Sequence, residues 1–320
     1  MRIPANAKYA IIEQMVNRED NLLNVKWLCE AAGVSRSGYY HYLQTAELRK
    51  QREQQDRRDF LVILEAYNRR GYSKGARGIY MCFLHMSPPV HMNIKKIRRL
   101  MKKYGLFCPI RKANPYRRMA KALKTDAVAD NLLNREFELH GPRSVLLTDI
   151  TYIINGKAPR CYMSTIIDAC TKELLAWVLS ESLEVDFVLE TVEIAIAKHG
   201  IEMNTETMVH SDQGAHYTSV QFRTLLKDKE LRQSMSRRAN CWDNAPQESF
   251  YGHMKDEIDI SECNTVEEIY AVISDWTDYY NNERYQWDLA KLSPIEYYNY
   301  LKTGIYPLTI PKAKGKNNKK

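Results

Sequence analysis

The stretch SVLLTDITYIING (144–156) determines the fold class of this 320-residue chain, because it is filled with β-branched and apolar residues around one aspartate. The next stretch, APRCYMSTIIDACTKELLAWVLS (158–180), predicts two further strands with a turn near Cys170–Glu173. Helical and strand patterns then alternate, giving the order βββ-α-β-α-β-α. This order predicts a layered α/β domain over residues 141–305.

Upstream of this domain the sequence predicts helical modules and a basic linker. The segment NVKWLCEAAGVSRSGYYHYL (24–43) contains a helix, a turn at Gly33 and a second helix that Ser35 could cap. This is the outline of a helix-turn-helix, whose second helix would present Arg36 and Tyr39 to DNA. Many small helical pairs that bind no DNA have the same outline, so this alternative stays open.

The segment HMNIKKIRRLMKKYGL (91–106) predicts a strongly basic helix, with Ile94, Ile97 and Met101 on one face and Asn93 as its cap. Its cations would be costly to gather unless a polyanion lies nearby, although a solvated amphipathic face is the alternative. These candidate DNA contacts are Lys95, Lys96, Arg98, Arg99, Lys102 and Lys103. Further candidates lie in the linker that follows: Arg111, Arg117 and Arg118.

The formal net charge of +8 conceals an uneven distribution. In residues 1–125, 26 Lys and Arg against nine Asp and Glu give +17, whereas 16 against 30 give −14 in residues 126–305. The last 15 residues carry five lysines and no acid. A basic half of this size predicts contact with nucleic acid, and a solvated surface with uneven charge is the alternative.

These observations predict six segments along the chain. They are a helix-turn-helix-like DNA-binding module at 1–45, a charged connector at 46–58, a second basic helix-turn-helix-like module at 59–106, a basic linker at 107–140, the α/β domain at 141–305 and a basic disordered tail at 306–320. The fold class is therefore a multi-domain α+β chain, with all-α modules before an α/β domain.

Composition excludes several classes of protein. Apolar residues make up 44% of the chain, too many for a disordered protein. No run of about 18 apolar residues occurs, and the N-terminus lacks the apolar core of a secretory signal, so no membrane contact is expected. The seven cysteines show neither CxxC pairs nor zinc-type spacing, which indicates free thiols and a cytoplasmic location.

Three separately placed carboxylates mark a candidate site. Asp149 interrupts an apolar strand, Asp212 follows the strand MVHS, and Glu248 lies on a helix with 35 residues between it and Asp212. A charged residue inside an apolar strand is costly unless it faces a site or is paired. Hard divalent cations prefer oxygen ligands, so these carboxylates could converge on metal ions. Because the domain is rich in acids, solvated surface carboxylates are the alternative.

The residues around these carboxylates resemble a known family. The motifs TDIT (148–151), HSDQG (210–214) and CWDNAPQESF (241–250) closely resemble the three core motifs of DDE-type insertion-sequence transposases. The similarity points to the second-frame (OrfB-type) catalytic protein. It covers most of the chain, since SRSGYYHYL, NIKKIRRLMKKYGL and residues 275–298 also resemble that family.

The resemblance implies an RNase H-like core of the retroviral-integrase type and metal-dependent DNA strand transfer. Asp149, Asp212 and Glu248 would be the catalytic residues and the metal ligands. Two Mg²⁺ ions are implied, with Mn²⁺ as a possible substitute. Lys255, seven residues beyond Glu248 on roughly the same helix face, would contact phosphate near the reacting bond, although a surface lysine is the alternative.

Neighbouring residues are predicted to assist this site. Arg237 and Arg238 precede the helix of the third carboxylate and are candidate DNA contacts. Asn244 and Gln213 are candidate supporting residues, through capping and loop geometry. Asp168 is expected either to support the site from behind or to shape a strand-end turn.

The resemblance therefore implies a bacterial, nucleoid-associated transposase. It would bind double-stranded DNA at the element's terminal inverted repeats, cut a strand, and join the freed end to target DNA. Synapsis of two ends implies a homo-oligomer, at least a dimer, and an upstream first-frame protein is a possible fusion partner. The alternatives are a DNA-binding regulator, an incomplete second-frame subunit active only when fused, and a metal-dependent nuclease of the same fold.

Overall fold

The structure is a computed structural model that describes residues 3–72, 74–109, 141–154, 157–235 and 245–309. The chain divides into two compact units, Met1–Glu65 and Ala66–Lys320. The six predicted segment boundaries stay predictions. Within the described ranges, no helix is both long and apolar enough to cross a bilayer.

The first unit is helical, as predicted. Its helices are α1 (Ala5–Val16), α2 (Val25–Ala32), α3 (Arg36–Gln44) and the first part of α4 (Ala46–Asn68). Gly33 ends α2 with a φ of 64°, a conformation that favours glycine. Ser35 caps α3 by accepting a hydrogen bond from the Gly38 amide. The helix-turn-helix outline of the sequence is therefore present.

The structure contradicts one predicted DNA contact of this unit. Tyr39 is only 2% exposed and packs in the core with Ile12, Leu28 and Cys29. The prediction was wrong because Tyr39 lies on the face of α3 that turns towards α1 and α2. Arg36, also predicted to contact DNA, is exposed on the same helix.

The second unit begins with α5 (Ala76–Leu84) and α6 (Ile94–Lys103). Asn93 caps α6 by accepting a hydrogen bond from the Lys95 amide, and Ile97 and Met101 are buried, as predicted. The cations of α6 therefore occupy its outer surface. Lys96 is half-buried, and the other five are exposed: Lys95, Arg98, Arg99, Lys102 and Lys103.

A five-stranded mixed sheet forms the centre of the second unit, in the order β3-β2-β1-β4-β5. Its strands are β1 (Val145–Ile153), β2 (Cys161–Asp168), β3 (Leu174–Ser180), β4 (Met208–Ser211) and β5 (Arg232–Met235). The first three strands are antiparallel neighbours, and β4 and β5 run parallel to β1. The α/β prediction is confirmed, with the strand of Asp149 in the middle of the sheet.

Helices cover both faces of this sheet. They are α7 (Asp186–His199), α8 (Ala215–Thr218), α9 (Val220–Asp228), α10 (Ala245–Glu257), α11 (Val266–Asn282) and α12 (Pro294–Thr303). One core contains Leu146 with residues of α7 and α9, and the other contains Ile153 with residues of α10 and α11. Side chains alternate along a strand, so Asp149 projects to the same side as Ile153, towards α10.

Aromatic residues fill much of the core beneath α11. Trp276, Tyr279 and Tyr280 are buried, as their helical spacing predicts. Trp287, in contrast, is 41% exposed. It lies in the turn after α11 and not on the helix, so helical spacing does not apply to it.

The helical segment before the sheet packs on α11 and on the turn that follows it. Arg69 Nη2 lies 2.9 Å from Glu283 Oε2, and the Tyr72 hydroxyl donates to Asp275 Oδ2 at 2.7 Å. The Tyr72 ring also stacks on Tyr279, with 4.4 Å between ring centroids. These contacts join the helical segment to the α/β domain inside one unit.

Candidate active site

Asp149 is half-buried in the middle of β1. Its Oδ1 accepts a hydrogen bond from the Ile150 amide at 2.8 Å. The pairing of β1 with β4 ends at Leu147 and His210, two residues before Asp149. The aspartate therefore lies where the sheet opens between these two strands, a common position for functional side chains in α/β folds.

The pKa of Asp149 is raised to about 7. Burial is the largest cause, and the negative charges of Asp212 and Glu248 raise the pKa further. The Ile150 amide and the Lys255 ammonium act in the opposite direction. The three carboxylates predicted from sequence are therefore electrostatic neighbours.

Asp212 follows β4 directly and is exposed. Its Oδ1 accepts a hydrogen bond from the Gly214 amide at 2.8 Å, which forms a tight turn. A Cβ atom at position 214 would lie 2.9 Å from the same oxygen, so a side chain there would push the Asp212 carboxylate away. Gln213, a predicted supporting residue, is exposed within this turn.

Glu248 is exposed in the first turn of α10, where the helix dipole favours a negative charge. Lys255 is exposed on the same helix, two turns further on. Partial burial lowers the pKa of Lys255, whereas the Asp149 carboxylate raises it. A cleft of about 400 Å³ opens at this place, lined by Tyr152, Ile153, Ile154, Lys255, Ile258 and Ile260.

The described residues do not form a ready-made metal site, since no three His, Cys, Asp or Glu side chains among them could hold one ion together. The carboxylates thus come near one another without converging. Asp212 lies in a surface loop and Glu248 at a helix start, so convergence on one ion requires their side chains to move.

A buried polar network that the sequence analysis missed lies beside Asp149. Gln247 Nε2 donates to Thr165 Oγ1, which lies 2.7 Å from the Tyr251 hydroxyl. That hydroxyl donates to the Asp149 carbonyl oxygen at 2.7 Å. Gln247 and Tyr251 stand at positions −1 and +3 from Glu248, so the helical spacing could have drawn attention to them.

Asp168 forms an ion pair with Arg143 and is not part of the group of Asp149, Asp212 and Glu248. Arg143 Nη1 lies 2.9 Å from Asp168 Oδ2, and Arg143 Nη2 lies 2.8 Å from Glu173 Oε2. The Cys170 amide donates to Asp168 Oδ1 at 2.9 Å. Of the two roles expected for Asp168, these contacts support the strand-end turn.

Several predicted contacts fall outside the described residues. They are Arg111, Arg117, Arg118, Arg237, Arg238 and Asn244. Their predicted roles stay predictions, as do those of the exposed cations of α6.

Comparison with known proteins identifies three matching regions. Residues 140–241 and 248–300 match two family profiles that are both described as "Integrase core domain", and residues 54–114 match one described as "HTH-like domain". These matches confirm the predicted order of a helix-turn-helix-like region followed by an integrase-type core.

Similar proteins occur in bacteria. An "Uncharacterized transposase-like protein" of Haemophilus influenzae is 32% identical over 211 residues, covering 65% of this chain and 94% of that protein. The InsK protein of insertion sequence element IS150 of Escherichia coli is 29% identical over 274 residues, covering 85% and 92%. The solved catalytic core domain of BIV integrase is 17% identical, covers 50% of this chain and 96% of its own, and has a TM-score of 0.39.

Proposed function

This chain belongs to the DDE-type insertion-sequence transposases, which are polynucleotidyl transferases, and we propose that Asp149, Asp212 and Glu248 are its catalytic carboxylates. The observation that carries the proposal is the raised pKa of Asp149, to which burial contributes most and the charges of Asp212 and Glu248 contribute further. Residues far apart in sequence thus come near Asp149, which lies where β1 and β4 separate. A solvated surface role does not explain this coupling.

The three side chains suit a divalent metal ion. They offer only carboxylate oxygens, the donors that Mg²⁺ and Mn²⁺ prefer, and their mutual repulsion would be relieved by a cation. Asp149, Asp212 and Glu248 would hold the metal, with two Mg²⁺ ions expected and Mn²⁺ as a substitute. When bound, the metal supplies Lewis-acid polarisation of the scissile phosphate and stabilises the charge on the leaving oxygen.

The other residues of the site would bind and orient DNA. Lys255 lines the cleft beside Asp149, where its ammonium group would hold a phosphate of the substrate. The Gly214 amide holds the side-chain carboxylate of Asp212, and the dipole of α10 favours a charged Glu248. Phosphoryl transfer depends mainly on positioning and charge stabilisation, so no nucleophilic side chain is required.

The reaction would proceed by direct phosphoryl transfer on double-stranded DNA. Water would attack a phosphodiester at an end of the element, and the freed 3′-hydroxyl would attack a second phosphodiester in line. Recognition of the terminal inverted repeats would fall to the helical modules, and synapsis of two ends would require at least two copies of the chain. The substrate would place the protein in the bacterial cytoplasm at the nucleoid, and an upstream first-frame protein could be fused to it.

Cleavage of labelled DNA that carries the element's ends tests this proposal. With Mg²⁺, the wild-type chain should nick one strand at the element boundary and leave a 3′-hydroxyl, and chelation with EDTA should stop the reaction. Binding to the ends without any cleavage, in either Mg²⁺ or Mn²⁺, would favour a DNA-binding regulator or a subunit that acts only when fused.

The exposed cations of α6 are expected to contribute to DNA affinity through phosphate contacts. Replacing Lys95 and Lys102 with alanine should reduce the slope of log affinity against log salt by about 1.8, since each phosphate contact contributes about 0.9. Fluorescence anisotropy across a salt series measures this slope. Lys227→Ala, at an exposed lysine of α9, is the matched control and should leave it unchanged. Equal slopes in wild type, the double variant and the control would show that Lys95 and Lys102 of α6 do not contact DNA phosphates.

Metal binding is expected to release a proton from Asp149. Its pKa of about 7 lies above the ordinary value of 3.8, so the folded chain favours the protonated acid. Protonation of Asp149 therefore contributes to the free energy of unfolding at low pH. This contribution is lost as the pH rises from about 4 to about 7. At about pH 6, Mn²⁺ binding should release about 0.9 proton, and at about pH 8.5 almost none.

Calorimetry in buffers of different ionisation enthalpy counts these protons. Asp149→Asn should lose the release at the lower pH, whereas Asp256→Asn, at an exposed carboxylate of α10, should retain it. Proton release that does not depend on Asp149 would contradict the assignment.

A further inference from the structure

Two residues of α10 contact the strands beside Asp149. Gln247 directly precedes Glu248 and Tyr251 follows it by three residues, so both lie within one helical turn of it. Gln247 donates to the Thr165 hydroxyl, and Tyr251 donates to the Asp149 carbonyl. Thr165 is the residue of β2 that pairs with Asp149 in the antiparallel register. Both contacts therefore end on the strand pair that carries Asp149.

These contacts form one hydrogen-bond network, in which every hydrogen is donated in the same direction. The Asp149 carbonyl can only accept, so it takes the one hydroxyl hydrogen of Tyr251. The Gln247 Nε2 group can only donate, so Thr165 Oγ1 accepts from it. The Thr165 hydrogen is then directed to the Tyr251 oxygen, 2.7 Å away. Donation runs from Gln247 through Thr165 and Tyr251 to the backbone of Asp149.

Burial makes this hydrogen-bond network sensitive to a displacement of α10. Gln247 and Thr165 are 0% exposed and Tyr251 is 7% exposed, so water cannot readily replace a broken bond. A shift of α10 by one residue would translate Glu248 by about 1.5 Å and rotate it by about 100°. The same shift would break both contacts to the strands. The hydrogen-bond network therefore fixes the register of α10 against the sheet.

We infer that Thr165, Gln247 and Tyr251 are positioning residues that set the place of Glu248 relative to Asp149. This inference rests on the proposed function, in which both carboxylates hold the metal. The three side chains touch no reacting atom. They act by holding the helix of Glu248 against the strand of Asp149, so that little reorganisation remains when the carboxylates converge.

Tyr251→Phe tests this inference in the full-length chain, because it removes only the hydroxyl. Tyr280→Phe is the matched control, since Tyr280 is also buried in the core of α10 and α11 and donates to a backbone carbonyl, that of Lys172, at 3.0 Å. Both variants should lower the Tm by about 2–4 °C. Only Tyr251→Phe should weaken Mn²⁺ binding, measured by calorimetry, by about tenfold.

A kinetic comparison separates positioning from DNA binding. Tyr251→Phe should lower kcat for strand cleavage by about tenfold while leaving the KM for DNA unchanged, because the hydroxyl does not meet the substrate. Thr165→Val, which removes the second hydroxyl at similar volume, should behave in the same way. Thr165→Ser keeps that hydroxyl and should retain most of the wild-type kcat and Mn²⁺ affinity.

Equal Mn²⁺ affinity and equal kcat in Tyr251→Phe and Tyr280→Phe would overturn the inference, since the network would then be structural only. A wild-type chain that binds no Mn²⁺ would overturn it as well. A wild-type chain that binds Mn²⁺ but cuts no DNA would overturn the proposed function alone, because the affinities of the two variants would still decide the role of the network.

Discussion

Replacing Glu248 with glutamine is expected to reduce strand cleavage by at least about 10³-fold, since losing a metal ligand removes about 4 kcal/mol of transition-state stabilisation. The substitution keeps the size of the side chain and removes only its charge. Glu248 is exposed at the start of α10, so the fold should tolerate the change. Single-turnover cleavage of labelled element ends, with Mg²⁺ in excess, measures the loss.

Asp256→Asn is the matched control for this prediction, because it removes another exposed carboxylate from the same helix. It should cut DNA at nearly the wild-type rate, and both variants should bind the ends as wild type does. In Glu248→Gln, the loss of the negative charge at position 248 should also lower the pKa of Asp149. A Glu248→Gln protein that cleaves within about tenfold of wild type would exclude Glu248 as a metal ligand.

Replacing Arg143 with methionine is expected to cost about 3–5 kcal/mol of unfolding free energy, because buried carboxylates would lose their counter-ion. Arg143 is 3% exposed and binds Asp168 and Glu173, which are both buried. Its Nε also lies 3.4 Å from Glu202 Oε2, and its guanidinium lies 4.2 Å from the Tyr298 ring centroid. One side chain thus joins the start of β1, the β2–β3 turn and α12.

Two further observations support a large effect at Arg143. Its backbone has a φ of 64°, a strained conformation for a residue with a side chain, which the ion pairs help to maintain. Burial already raises the pKa of Glu173 even beside the guanidinium, so without Arg143 this carboxyl would take up a proton at a higher pH still.

Urea unfolding followed by intrinsic tryptophan fluorescence, to which the buried Trp276 of the second unit contributes, measures this stability. Arg232→Met, in the same unit, is the control, since the Arg232–Glu206 pair is 59% and 77% exposed and should contribute less than about 1 kcal/mol. Arg143→Lys should fall between wild type and Arg143→Met, because it keeps the charge and loses the forked geometry. Equal losses for Arg232→Met and Arg143→Met would show that the buried network adds nothing.

The sequence alone predicted the elements that periodicity determines. The β-branched stretch around Asp149 gave the central strand, and the capping residues Ser35 and Asn93 marked two helix starts that the structure confirms. Asp212 at a strand end and Glu248 on a helix were likewise placed correctly. These features depend on neighbours within a few residues, which a single sequence contains.

Other features depend on strand register or on helical phase, which local patterns do not reveal. The pairing of Asp149 with Thr165 places a threonine hydroxyl beside α10, and no local pattern in β2 indicates this. Arg143 meets its carboxylates only because β2 and β3 return to the start of β1. Tyr39 was assigned to the wrong face because the phase of α3 against α1 and α2 is a tertiary property.

Joining of a pre-cleaved end to target DNA tests the central claim most directly. The substrate is a labelled element end with a free 3′-hydroxyl, incubated with unlabelled target DNA, Mg²⁺ and the full-length chain. We predict a joined product that requires the metal, the 3′-hydroxyl and Glu248. Metal-dependent hydrolysis of the DNA without any joined product would contradict the account and identify the chain as a nuclease of the same fold.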